Sequence, residues 1–218
     1  MMNILITGGT GYIGTRLVAA LAARGHSVRA LVRPGSAQRL PENVVTVTGN
    51  ALDAASVTSV ADPSDTLVHL VGTPHPNPSK AEEFRSVDLE SIRASVTAAK
   101  NRHIAHLVYV SVAHPAPAMQ AFVAARIEGE AAIAHAGLTA TILRPWYVLG
   151  PGHWWPVLLQ PFYAIGELLP PTRESARRLG LVSVAQMVRA LVRAVESPPP
   201  EGTRRIVEVP EIRRAQPE

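Results

Sequence analysis

Short apolar runs alternate along the chain with longer stretches in which apolar residues return every three or four positions. The runs are NILIT, HSVRALV, VVTV, TLVHLVG, AHLVYVS, TATILRP and RRIVEVP, each short, rich in Val, Ile and Leu, and read as a strand. Between them, Gly11 to Arg24 places Ile13, Leu17, Val18 and Leu21 on one face. Lys80 to Arg102, Met119 to Ala136 and Ser183 to Glu196 are similarly periodic and rich in Ala, and all four segments read as helices. Strictly alternating strands and helices predict a doubly wound parallel sheet with helices on both faces. The expectation is one α/β domain over residues 1–218, strands ordered 3-2-1-4-5-6 with the last strand at an edge, and residues 145–182 left for a small helical lid.

Composition narrows the class without changing this picture. With 218 residues, 47% of them hydrophobic and 17% charged, the chain can bury one substantial core. It has no cysteine, which removes disulfides, thiolate metal sites and a cysteine nucleophile, and makes the cytoplasm the expected compartment. The first residues carry no charged segment ahead of the apolar run, and no stretch reaches the roughly 18 apolar residues of a membrane span. The net charge of +4 is spread over arginines interleaved with acids, as in RESARR and PEIRRAQPE, so nucleic acid is not expected as a partner. No metal is expected either: His103 and His106 straddle a helix end and a strand start with no third ligand beside them. A homodimer is left open.

The first strand runs straight into TGGTGYIG, where Gly8, Gly11 and Gly14 are spaced three apart. A strand, a glycine turn and an amphipathic helix form the place where a dinucleotide's pyrophosphate meets free backbone N–H groups at a helix N-terminus. Gly8 suits the turn, Gly11 keeps a Cβ away from the phosphates, and Gly14 lets the helix pack close. A carboxylate about 20 residues further on would select NAD, whereas an arginine there suits the 2′-phosphate of NADP. That place holds Arg33, and no Asp or Glu lies between Gly14 and Glu42, so NADP is expected, with NAD as the alternative.

TGGTGYIG, LVR, GNALD, HLVG, YVS, RIEGE and LRPWYVLGPG, in that order, resemble the short-chain dehydrogenase/reductase superfamily in its extended or atypical branch. The resemblance is strong over residues 1–152, weaker over 153–180, and returns at LVSVAQMVRALVRAVE. It implies a Rossmann fold binding NAD or NADP, with cofactor contacts at Gly8, Thr10, Gly11, Tyr12, Ile13, Gly14, Arg33, Asn50, Ala51, Leu70, Val71, Gly72, Arg126 and Pro145. Asn50 stands where relatives carry an Asp lining the adenine, and Asp53 also reads as the N-cap of the next helix.

The catalytic motif departs from the family. Its reductases use a Tyr-x-x-x-Lys pair, and aligning RIEGE places Phe122 at the Tyr and Arg126 at the Lys. Phenylalanine has no proton to give, while arginine still donates to ribose hydroxyls. Ser111, His114 and Tyr147 are the remaining candidates for catalysis. Phe122, Trp146, Trp154 and Trp155 imply a small, mostly apolar substrate under the lid, although core packing explains those aromatics equally well. The function expected is an NADP-dependent oxidoreductase or isomerase with a non-standard proton donor, and the alternative is a cofactor-sensing or structural protein without turnover.

Overall fold

In strand β1 (Asn3–Thr7) every residue after Asn3 is buried, which only a strand covered on both faces and both edges allows. A computed structural model, which describes residues 1–62, 64–151 and 178–215, places it between β2 (Ser27–Val32) and β4 (Thr66–His69). Outside these lie β3 (Val45–Thr48) on one side, and β5 (His106–Val110), β6 (Ala140–Arg144) and β9 (Arg204–Glu208) on the other. The order is β3-β2-β1-β4-β5-β6-β9 and every pair is parallel, as the alternation predicted, with β9 at the edge. A second, two-stranded sheet of β7 (Tyr147–Leu149) and β8 (Leu181–Ser183) was not foreseen, because three residues are too few to show a period.

Helices cover both faces. Helix α1 (Gly14–Ala23) buries Leu17, Val18 and Leu21 beside Met187, Leu191 and Val195 of α6 (Val184–Glu196), whose start is fixed by a capping box of Ser183 and Gln186. The opposite face takes α2 (Ala54–Val60), α4 (Glu90–Asn101) and α5 (Gln120–His135), burying Val57, Ile92, Ala125 and Ile133 against Leu5, Leu67, Leu107 and Ile142. The segment RRIVEVP is corrected: the strand ends at Glu208, and Val209–Arg213 forms a short helix α7. Pro210 explains this, since it cannot donate to a sheet ladder but fits the first turn of a helix. The helix expected from Lys80 is also interrupted, running as short α3 (Ala81–Glu83), a π turn (Phe84–Leu89) and then α4.

Two buried histidines join strands to their neighbours. His69 of β4 meets Thr7 Oγ1 at 3.1 Å and Ser95 Oγ at 2.9 Å through Nδ1, and Ser91 Oγ at 3.3 Å through Nε2. Burial, helped by the Arg126 charge, pulls its pKa down to about 3, so the ring is neutral. His106 of β5 pairs with Thr141 Oγ1 at 3.0 Å and is lowered to about 4 by burial and then by Arg205.

Candidate functional site

The three glycines of the first turn have distinct reasons to be glycine. Gly8 has φ of +77°, and a Cβ on it would lie 2.6 Å from Leu70 C and 2.7 Å from Val71 N, so the end of β4 closes directly on the turn. A Cβ on Gly14 would lie 2.3 Å from Gly8 O and 2.7 Å from Gly9 C, which seats the first residue of α1 against the turn. On Gly11 the same atom meets only Gly8 O, at 3.2 Å, and this residue is exposed. The turn and the helix are built at Gly8 and Gly14, while Gly11 keeps open a surface that the protein itself does not fill. Thr10, Tyr12 and Ile13 complete the turn; Arg16 donates to Tyr12 O at 2.6 Å and lies 4.4 Å from its ring centroid. A pyrophosphate approaching this turn would meet no Cβ at Gly11.

Arg33 follows β2, is exposed, and has no side-chain partner among the described residues. Asn50 and Ala51 follow β3. The Asn50 side-chain oxygen accepts from Leu52 N at 3.0 Å, closing a local turn, and its backbone N–H donates to Ser56 Oγ at 2.9 Å. Asp53 is the N-cap of α2, accepting from Ala55 N and Ser56 N at 3.0 and 3.2 Å. Arg33 and Asn50 thus stand at the ends of β2 and β3, and Leu70, Val71 and Gly72 at the end of β4, all along the carboxyl edge of the sheet.

Beyond β4 the edge turns strongly polar. A Cβ on Gly72 would lie within 2.4 Å of Arg126 Nη2. Arg126 is 7% exposed; its Nη2 donates to Asp88 Oδ1 at 2.5 Å and its Nη1 to Val110 O at 2.8 Å. Asp88, in the π turn and wholly buried, also accepts from Thr73 N at 2.8 Å and Thr73 Oγ1 at 2.6 Å. Burial opposes the Arg126 charge, but Tyr109 and Asp88 outweigh it and hold the guanidinium above its ordinary value. Phe122, one helical turn earlier, lies 5.1 Å from the guanidinium and packs edge-on against Phe84 at the same separation. The position that lacks a phenol is therefore filled by a ring covering a cation.

A second polar cluster lies at the ends of β5, β6 and β9, around Glu130 of α5. Ser111 Oγ donates to Glu130 Oε1 at 2.6 Å, Arg144 Nε donates to the same oxygen at 3.0 Å, and His114 Nε2 lies 3.4 Å from it. Arg144 Nη2 takes Glu130 Oε2 at 2.5 Å and Nη1 takes Glu208 Oε1 at 3.1 Å. Burial works against Arg144, and its bonds to the two carboxylates raise it nonetheless. Pro145 is buried beside this cluster. Trp146 is half-buried and packs edge-on to Tyr147, with ring centroids 6.2 Å apart, so Tyr147 belongs to β7 and the small sheet rather than to the Ser111 group. Trp154 and Trp155, with most of the expected lid, lie outside the described residues.

Sequence reasoning missed Asp88, Thr73, Glu130 and Arg144. Asp88 did leave a signal, an acid at the four-residue spacing of the buried Phe84 and Ile92, where an apolar side chain belongs. Among the described residues no three His, Cys, Asp or Glu side chains group as a metal site would require, and no helix is long and apolar enough to cross a membrane.

Comparison with known proteins agrees with this geometry. Residues 8–151 match the model of a family described as NAD(P)H-binding. The chain is 27% identical over 213 residues to a ceramide reductase of Caulobacter vibrioides, covering 97% of this chain and 65% of the relative. It is 26% identical over 171 residues to a 4-hydroxy-2-methyl-3-oxo-4-farnesyl-3,4-dihydroquinoline-1-oxide ketoreductase of Stigmatella aurantiaca, covering 68% of this chain and 51% of that protein. The chain thus spans less than two thirds of the length of these relatives. Among solved structures, the Bordetella bronchiseptica enzyme WbmH in complex with NAD+ shares the fold, with a TM-score of 0.69 at 21% identity over 90% of this chain and 72% of that one.

Proposed function

The chain belongs to the NAD(P)H-binding family, within the short-chain dehydrogenase/reductase superfamily that its motifs resemble, and on that footing we propose that it is a reductase of a small, mostly apolar carbonyl compound. NADP(H) is the preferred cofactor in this reading. The observation that carries it is the Glu130 cluster, which gathers Ser111 and His114 on one carboxylate oxygen at the sheet edge next to Arg126. NADPH, bound along the carboxyl edge of the sheet, would supply hydride for the carbonyl carbon. The carbonyl π pair then moves to oxygen and needs one proton, which Phe122 cannot give and protonated His114 can. The Ser111 O–H is committed to Glu130, so toward a substrate this oxygen offers lone pairs and accepts from the product hydroxyl. Arg33, exposed and without a partner among the described residues, suits a 2′-phosphate. Trp146 and Phe122 favour an apolar substrate, and so does the likeness to a ceramide reductase and to a ketoreductase of a farnesylated ring. A cytoplasmic setting belongs to the same reading.

The test is NADPH oxidation with a panel of apolar ketones, aldehydes, quinones and enones. Turnover is expected, with His114→Gln lowering kcat by about 10²- to 10⁴-fold, the usual contribution of a general acid. If the native protein binds NADPH and reduces none of these compounds, the second reading stands: a cofactor-binding protein without turnover, which the ring of Phe122 in place of a phenol favours.

A further inference from the structure

His114 is carried on a segment tied to the sheet. Past the end of β5 the ladder runs on, with Ser111 N donating to Leu143 O at 2.8 Å and Ala113 N to Pro145 O at 2.9 Å, and Val112 and Ala113 are buried. The acid that faces the ring is held as firmly. Arg144 lies beside Glu208 in the β6–β9 register, donates to it through Nη1, and grips both oxygens of Glu130 through Nε and Nη2. Glu130 Oε1 therefore receives Arg144 Nε and Ser111 Oγ, and His114 Nε2 stands 3.4 Å from the same atom.

The two ring nitrogens of His114 are not equivalent. Nε2 is buried and makes no hydrogen bond among the described residues, although the side chain as a whole is 19% exposed. An ionised carboxylate can only accept. A bare Nε2 would set its lone pair against those of Glu130, and a separation of 3.4 Å leaves no room for water between the two buried acceptors. With a hydrogen on Nε2 the same contact becomes attractive. Nε2 thus keeps its hydrogen whether the ring is charged or neutral, and the proton free to leave is the one on Nδ1.

We propose that Glu130 is a positioning residue that makes His114 an acid through Nδ1. This rests on the reductase reading above. With hydride from NADPH, oxidised in the step to NADP+, added at the carbonyl carbon and the π pair moved to oxygen, His114 breaks its Nδ1–H bond toward that oxygen. The electron pair of that bond stays on Nδ1, the product is an alcohol, and the ring is left neutral with Nε2–H still turned to Glu130. Solvent returns a proton to Nδ1 before the next turnover.

Nitrogen NMR on histidine-labelled protein at alkaline pH, with the His114 signals identified by their loss in His114→Gln, reads the neutral ring directly. The Nε2–H tautomer alone is expected, and a detectable Nδ1–H form overturns the proposal. Replacing His114 by Nδ1-methylhistidine leaves Nε2 as the only nitrogen able to carry a proton, turned toward Glu130. Turnover of the apolar carbonyl panel should then fall by about 10²- to 10⁴-fold, as in His114→Gln, and a kcat within threefold of native overturns the proposal. Glu130→Gln should lower kcat at least about tenfold with KM nearly unchanged, and should do nothing further in the His114→Gln background. A merely structural Glu130 would lower kcat equally in both backgrounds, which also overturns the proposal. If Glu130→Gln does not fold, the labelled and methylated proteins decide. A native protein that reduces none of the panel defeats the reductase reading instead, while its NMR spectrum still tests where the ring carries its hydrogen.

Discussion

Replacing Gly11 by alanine separates binding from folding. The added methyl meets one atom of the chain, Gly8 O at 3.2 Å, a contact relieved by a shift of a few tenths of an ångström. Gly11 does not have a positive φ, so alanine also gains from a less flexible unfolded chain, by about 0.4–1 kcal/mol where the native conformation is compatible. Unfolding free energy should therefore change by less than about 1 kcal/mol. Gly8→Ala and Gly14→Ala are different cases, since their methyls would press on backbone atoms at 2.6 and 2.3 Å, and Gly8 is left-handed as well; both should unfold or lose several kcal/mol. Gly9→Ala is the control, meeting only the apolar Val18, Ala30 and Ile6 side chains at 3.4 to 3.5 Å. If the exposed face of Gly11 is where phosphate approaches, Gly11→Ala displaces the pyrophosphate from N–H donors worth about 1.5–3 kcal/mol each. Losing two of them weakens binding by at least about 100-fold. Thermal unfolding and calorimetric titration with NADPH, run on all four variants, measure the two effects separately. A Gly11→Ala protein that binds NADPH within threefold of native would refute the cradle.

Arg33→Ala should weaken NADPH by about 10- to 100-fold and leave NADH nearly unchanged, because only the former carries the 2′-phosphate; equal losses for both would remove the preference for NADP. Acid should destabilise the fold well before the carboxylates titrate. The His69 and His106 pKa values of about 3 and 4 lie below the ordinary 6.5, so the unfolded chain takes up protons that the folded one refuses. Their contribution is complete well above pH 6.5 and is lost as pH falls toward about 4 for His106 and about 3 for His69, at up to about 1.4 kcal/mol per pH unit for each ring. Unfolding free energy should drop by about 3 kcal/mol between pH 6.5 and 5, and His106→Gln should halve the slope; a flat profile in denaturant titrations would show that neither ring is held neutral.

The parts of this molecule legible in its sequence are those that local chemistry determines. Seven strands and their order followed from alternating periods, and the glycine turn from three residues six positions apart end to end, because backbone geometry is decided by near neighbours. The polar groups at the ends of β4, β5, β6 and β9 were not legible in the same way. Asp88, Arg126 and Thr73 come from three separate segments, and Glu130 gathers partners from as far away as Ser111 in one direction and Arg144 in the other. Such pairings depend on which strand ends lie side by side. Even so, Arg126 and Glu130 were visible as charges four residues apart on a helix that buries Ala125, Gly129 and Ile133, and charges on a face turned toward a core require partners. Helix boundaries shifted where one residue overrode the period, as Pro210 did after β9 and as the π turn did before α4.

In the proposed reading, binding and turnover draw on different residues, so loss of one need not remove the other. The glycine turn depends on backbone contacts with Leu70 and Val71 and would survive any change at Phe122 or Ser111. A protein kept only to bind a dinucleotide would need that turn and Arg33, and no acid–base group at the ends of β5, β6 and β9. What stands there is a largely buried group of Glu130, Arg144, Ser111 and His114, with Glu208 Oε2 buried and unpaired among the described residues. Packing alone would replace a largely buried group of this kind with aliphatic side chains at little loss. Polar groups held against that gradient, at the edge where α/β sheets place their ligands, are better explained by a substrate oxygen and a proton to be moved than by the fold.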